Sequence, residues 1–566
     1  MLWLMPVVAL GAAPGCGGDD DDTTAQGGTS SSGGKASTGG AGGKASGGGA
    51  QGGAATSGGK ASGGGDLGGA PATGGVDGSG GAVVTPEGGA GGAPIDGLGG
   101  AGGEIGVGGS GFGGEGGEGG APGPALNCLP DTTHPAKLVP ISAAGHDGLF
   151  GAVIDAQGNI YATGYAAAGI ANADNRKTVV AKFDKTGALV SSFGTAGVAT
   201  VDVVAAGAGE MARGIVLQSD GKIVVSGTVE HDAAATGVLA NDRDVYAIRL
   251  NSDGSLDSTF GVAGIRIVDL NSGVEGVNAQ GNAALLGADA QWGLNVDAVD
   301  RLLIHSAQRA TGFQADGTTP RTDTDWAIVR LSKDGAVDTT FATDGKFTYD
   351  IGGASASART LTLLPDQTMI ATGYSTYSGT QRPVLFKLGP NGQGPLWVFS
   401  EPVGTAAEAY GAGLQKNGKL VTAGYGRPNA AATSTDLISI RLTTTGVLDT
   451  DYGTRGATWL DVHGFGDNGR NVVVLDDDRV MLVGGGRPLE TDTDGLVAVL
   501  TANGAPDATF APGGCATYDF GSPGDFLWGA ALSPDKKFVA LVGVTGVPAS
   551  STLNNDSALV ILPVAN

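Results

Sequence analysis

From residue 147 to the carboxyl terminus the chain is written in short apolar runs of five to eight residues, punctuated by turn-forming residues and gathered in groups of four. The second group shows the pattern most cleanly. Gly214-Ile-Val-Leu-Gln218 leads through Asp220-Gly221 into Lys222-Ile-Val-Val-Ser226; Asp244-Val-Tyr-Ala-Ile-Arg-Leu250 follows, then Gly254-Ser-Leu-Asp-Ser-Thr-Phe-Gly261 and Ile265-Arg-Ile-Val-Asp-Leu270. Runs of this length and β-branched content, bounded by Gly, Asp and Asn, predict strands. Aligned on Gly164, Gly227, Ala307, Gly373, Gly424, Gly484 and Gly543, the groups repeat seven times with a mean period of about 63 residues. Four strands in a period of this size predict one propeller blade per group. The fold class that follows is all-β, a seven-bladed β-propeller.

The four runs of each group are expected to be strands a, b, c and d. Strand a ends in a tight hairpin turn that needs positive φ, at Gln157-Gly158-Asn159, Asp220-Gly221, Asn417-Gly418-Lys419 and Asp477-Asp478-Arg479. Strand b closes on the recurring glycine, where a neighbouring backbone is expected to come close. Strand c ends on a cation and an apolar residue in five copies: Lys182-Phe183, Arg249-Leu250, Arg330-Leu331, Lys387-Leu388 and Arg441-Leu442. The seventh group lacks strand d, whereas an orphan run, Lys137-Leu-Val-Pro-Ile141, precedes the first. This amino-terminal strand is expected to complete the last blade and close the ring, its proline tolerated on a free edge.

Composition divides the chain before residue 127. Residues 17–126 are almost wholly Gly, Ala and Ser, too poor in large apolar side chains to offset their ordering entropy. They are expected to form a disordered tether, leaving 127–566 as the propeller. The net charge of −24 excludes an electrostatic footprint for nucleic acid or anionic lipid. Residues 1–16 are a short apolar export segment, too short to span a bilayer, that ends at Cys16. It resembles a bacterial lipoprotein signal, which implies lipidation at Cys16, contact with a membrane only through that anchor, and residence at the outer membrane or cell surface. Cys128 and Cys515 are the remaining cysteines. In an exported chain they are candidates for a disulfide between neighbouring blades, with two unpaired thiols as the alternative.

The phrases Asp220-Gly-Lys-Ile-Val-Val-Ser-Gly227, Asp244 to Leu250 and Gly254 to Gly261 resemble the delta-60 repeat family of bacterial surface and secreted proteins. The resemblance spans residues 147–566, loosely in the third, fourth and seventh copies; the fourth has Pro395-Leu-Trp-Val-Phe399 in place of Asp-x-x-Phe. It implies a propeller-like repeat domain and no single activity.

In a propeller the b–c and d–a connections share one face. Here that face carries the variable loops, including 271–291, so it is the expected binding face. Where strand a begins, the copies read Phe150, Arg213, Trp292, Arg359, Tyr410, Arg470 and Trp528. Aromatic faces stack on sugar rings, and guanidinium groups pair with carboxylate or phosphate, so these seven are candidate ligand-binding residues. The same alternation also makes cation–π contacts between blades, and that reading stays open. Asp244, Asp325, Asp436, Asp494 and Asp556 recur before strand c, with Asp242, Asp323 or Asp492 beside some of them. They fit turns or, alternatively, Ca²⁺. No other cofactor is indicated: His134, His146, His231, His305 and His463 form no metal pair. No catalytic residue is indicated either, and no nucleophile elbow or phosphate loop is present. The expected function is therefore a non-enzymatic, monomeric, surface-tethered binding or scaffold propeller for an anionic glycan or an exported protein. The alternative is a hydrolase or lyase acting on an anionic polysaccharide at the channel mouth.

Overall fold

The computed structural model describes residues 125–564, except 170–174, 205–208, 231–242, 271–273, 278–282, 287–288, 547–553 and the single positions 311, 315, 320, 322 and 378. Cys16, the Gly-rich segment, His231 and Asp242 lie outside the described residues.

Seven antiparallel sheets stand around a central channel. Their innermost strands, a, are Asp147–Ile154, Glu210–Leu217, Ala290–Val296, Ala356–Leu363, Ala406–Leu414, Asn468–Val474 and Phe526–Leu532. In blade 2 strand a pairs with Ile223–Glu230, which pairs with Arg243–Leu250, which pairs with Ile265–Val268 at the rim. The hairpin turns take the predicted conformation, with φ of 81° at Gly221 and 67° at Asp478. The ring closes as the orphan run predicts. Lys137–Val139 is strand d of blade 7, antiparallel to Ser557–Pro563 with Leu138 opposite Ala558.

The core is seven apolar clusters, one at each blade–blade interface. A strand flanked by two blades must be apolar on both faces. In blade 2, Val225, Tyr246 and Ile248 meet Tyr161 and Val180 of blade 1, while Val224, Val245 and Ala247 meet Leu302 and Ile304 of blade 3. That is why strand c of blade 5, Asp436–Leu442, is buried at every position and shows no alternation.

The cation ending strand c joins one blade to the next. Arg249 Nε donates to Asp257 at 2.7 Å, its guanidinium lies 5.0 Å from the centre of the Phe260 ring, and Nη1 donates to the Lys333 carbonyl at 2.6 Å. Arg330 repeats this with Asp338, Phe341 and the Pro390 carbonyl, and Arg441 with Asp449, Tyr452 and the Ala502 carbonyl. The Asp-x-x-Phe phrase is thus the socket of an inter-blade pin.

Two details correct the sequence reading. Cys128 and Cys515 form a disulfide, with Cα atoms 5.2 Å apart, but it ties blade 6 to the segment directly before its own extra edge strand and does not join blades 6 and 7. Leu129–Pro130 runs parallel to Cys515–Tyr518 as an extra edge strand of blade 6 before the chain crosses to blade 7, so the amino-terminal segment touches both blades in turn. In blade 3 the equivalent of the strand-b glycine is Ser306, not Ala307. Ser306 pairs with Gln291, the residue before that strand's irregularity, as Gly164 pairs with Leu149. The 271–291 connection contains a separate hairpin of Val274–Val277 and Ala283–Leu286.

Candidate functional site

A β-bulge recurs at one place in strand a of every blade. Pairing skips Phe150, Arg213, Trp292, Tyr410, Arg470 and Trp528, and in blade 4 it skips Arg359 together with Thr360. These are the seven residues singled out in the sequence. A bulge leaves one residue without a ladder partner and re-aims its side chain, and here all seven line a channel cavity of about 300 Å³.

The bulge explains the strand-b glycine. It presses the strand-a backbone onto strand b, so that a Cβ at Gly484 would lie 1.9 Å from the Asn468 carbonyl oxygen, and one at Gly424 1.9 Å from that of Glu408. The glycine and the ring side chain are two halves of one device.

Around the channel, cations and aromatic rings alternate in contact. Arg213 lies 4.2 Å from the centre of the Trp292 ring; Arg359 lies 4.1 Å from Trp292 and 4.6 Å from Tyr410; Arg470 lies 4.3 Å from Tyr410 and 4.7 Å from Trp528. Phe150 completes the series edge-on to Trp528, with ring centres 5.2 Å apart. A second tier from strand b stands behind: Tyr374 accepts a hydrogen bond from Arg359 Nη2 at 3.1 Å, and Tyr425 lies 5.7 Å from Arg470. Arg359, Tyr410 and Arg470 are buried, whereas Phe150, Arg213, Trp292 and Trp528 stay half-buried. Burial opposes the charge on Arg359, but Tyr410, Tyr374 and Glu408 outweigh it and hold its pKa above the ordinary guanidinium value.

Arg470 and Trp528 also line a second, larger cavity of about 730 Å³, which lies over blades 5–7 on the face of the variable loops. Its walls include Arg427, Arg487, Thr435, Asn468, Thr493 and Asn555. None of these was singled out in the sequence. A signal for two of them exists in the phrases Gly424-Tyr-Gly-Arg427 and Gly484-Gly-Gly-Arg487, which lie at matching places in strand b of adjacent blades.

The recurring acids serve the corners of this face. Three residues before the ring position, Asp147, Glu210, Asp289, Asp467 and Asp525 are fully or nearly fully buried. Each accepts the backbone N–H of the second residue after strand d of the preceding blade: Ile141, Val203, Leu270, Val462 and Phe520. The acids that begin strand c converge on the same corners. Burial pushes Asp436 and Asp494 up to about 7, with neighbouring Asp461 for the first and Asp492, Asp519 and Asp525 for the second adding to it. Burial also pushes Glu210 up to about 7. In blade 3 Arg321 sits among Asp323, Asp325 and Asp350, 2.8 Å from Asp325 and 3.0 Å from Asp350. At the corner between blades 2 and 3, Asp244, Asp269 and Asp289 each bring a carboxylate oxygen within 4.8 Å of the others. His305 is buried beside Trp326, with ring centres 5.6 Å apart, and burial pushes its pKa down to about 3.

A family model described as a β-propeller domain of unknown function (DUF5122) matches residues 218–260, 315–341 and 415–452, which fall in blades 2, 3 and 5. No curated protein matches the sequence. Among solved structures, the chain is similar to a protein of unknown function from Dyadobacter fermentans (14% identity, 62% of this chain and 94% of that one, TM-score 0.36). It is also similar to the polysaccharide lyase Uly1 (11% identity, 75% and 90%, TM-score 0.41). A third is the GH93 alpha-L-arabinofuranosidase of Fusarium graminearum, solved with arabinobiose (11% identity, 76% and 97%, TM-score 0.38). Identity this low carries no chemistry across.

Proposed function

We propose that this chain is a non-catalytic binding propeller that holds an anionic glycan at its central channel, displayed from a cell surface by a lipid anchor at Cys16. The observation that carries the reading is the bulge ring. Seven blades each re-aim one side chain into the channel, and the result alternates guanidinium forks for carboxylates with aromatic faces for sugar rings. Side chains serving only as mortar between blades would be buried throughout, yet Phe150, Arg213, Trp292 and Trp528 keep exposed surface. The acids nearest the ring favour binding over a hydrolase or lyase. Asp467 accepts the Val462 N–H at 2.6 Å and Glu408 accepts from Gln381 Nε2 at 2.9 Å, so both hold the scaffold.

The test is glycan binding by the full chain beside Arg213→Ala and Trp292→Ala variants, with melting temperatures measured in parallel. Binding of acidic glycans that falls about tenfold or more in variants that stay folded supports the reading. A wild type that binds no glycan, or variants that bind as well as wild type, assigns the ring to inter-blade packing.

A further inference from the structure

We propose that the cleft over blades 5–7 is a track for an extended, carboxylate-bearing oligosaccharide whose terminal unit enters the channel; this rests on the channel reading above. The two cavities share Arg470 and Trp528 in their walls, so the cleft borders the channel at this pair. Their volumes, about 300 Å³ and 730 Å³, suit one sugar-sized group in the channel and a short run of further units outside it.

The cleft is built for such a chain by subtraction as well as addition. Strand b carries Gly-x-Gly-Arg in both blade 5 and blade 6, which places Arg427 and Arg487 at matching positions one blade apart. The glycines hollow the floor between them. A Cβ at Gly485 would lie 2.5 Å from the Phe526 ring, and one at Gly426 2.2 Å from the Ala406 carbonyl oxygen. The space so kept lets Phe526 lie beside Trp528 (5.1 Å between ring centres) with Arg470 5.6 Å away. Three guanidiniums in the wall of one cleft, those of Arg427, Arg470 and Arg487, match carboxylates repeated along a polymer, and Tyr425, Phe526 and Trp528 in the same wall offer ring faces. The rest of the wall offers hydroxyls and amides from Thr433, Ser434, Thr435, Asn468, Thr493 and Asn555. Its two carboxylates, Glu408 and Asp467, are buried and accept from Gln381 Nε2 and the Val462 N–H. That lining suits a hydroxyl-rich chain better than a peptide, which would need apolar pockets.

The experiment is calorimetric titration of the full chain with galacturonate as mono-, di- and tetrasaccharide, and with a neutral tetrasaccharide as control. Wild type is compared with Arg427→Ala, whose side chain is exposed and removable without loss of core packing, and with Arg213→Ala in the channel. Affinity for the acidic series is expected to rise with length, by about tenfold from mono- to tetrasaccharide. Arg427→Ala is expected to remove that gain while leaving the monosaccharide unaffected, and Arg213→Ala to weaken every length. Length-independent binding that Arg213→Ala still abolishes would overturn the track and leave the channel standing. Equal binding of the neutral tetrasaccharide would overturn the role of carboxylates. No binding of any galacturonate would overturn the channel reading and the track together.

Discussion

The guanidinium of Arg470 lies 4.7 Å from the centre of the Trp528 ring, and the pair belongs to the wall of the channel and to the wall of the cleft at once. A cation–π contact this desolvated contributes about 2 kcal/mol, and the indole also fills space between blades 6 and 7. Trp528→Ala is expected to lower the melting temperature by several degrees and to weaken ligand binding, while Trp528→Phe recovers most of the stability. Calorimetric melting of the two variants checks this.

Gly484→Ala is expected to destabilise by about 1–3 kcal/mol, because its Cβ would press on the Asn468 carbonyl and force the bulge to shift. The matching position in blade 3 already holds a side chain, Ser306, whose buried Oγ makes no hydrogen bond among the described residues. Ser306→Ala is therefore expected to be neutral or slightly stabilising. Urea unfolding of both variants separates the outcomes.

Removing the disulfide by Cys128→Ala with Cys515→Ala is expected to cost about 2–5 kcal/mol. The loss should appear as a lower denaturation midpoint, with loosening of the edge strand Leu129–Pro130 in hydrogen exchange. Channel binding should persist below that midpoint, since the ring is built from strand a, on the opposite edge of each sheet.

Stability is expected to fall as pH rises from 5 to 8. Burial raises Glu210, Asp436 and Asp494 to about 7 and Asp325 to about 6, above their unfolded values near 4. A raised folded pKa contributes stability in full below the unfolded value and loses it as pH climbs through the folded one. The window is therefore about pH 4 to 7, with the melting temperature a few degrees lower at pH 8 than at pH 5. Melting scans that show the reverse slope would contradict the corner-acid protonation.

His305 is expected to stay neutral at every pH above about 4, because burial depresses its pKa to about 3. Imidazole NMR shifts should show no titration of this residue between pH 5 and 8.

Much of the architecture was legible in the chain. Blade number, strand identity and closure by Lys137–Val139 follow from a repeat whose turns and apolar runs are local, because each blade reuses one solution to the same burial problem. The seven ring positions were legible as an alternation of Arg and aromatic residues. The bulge that aims them was not, because skipping one partner depends on register with strand b. The corner acids recur in the sequence too, yet their partners sit far away in it: Asp147 accepts hydrogen bonds from Ser557, 410 residues on, through both backbone and hydroxyl.

Local pattern by itself therefore determined a seven-bladed ring, because turn chemistry and strand burial are properties of neighbours along the chain. Only the tertiary structure decided that Cys128 reaches Cys515 from beside the edge strand of blade 6, that Ser306 stands for the glycine, and that Arg427, Arg470 and Arg487 face one cleft. Those facts depend on which blades meet and on the one-residue slip of the bulge, and such a slip changes the face a side chain presents without changing the pattern of apolar runs.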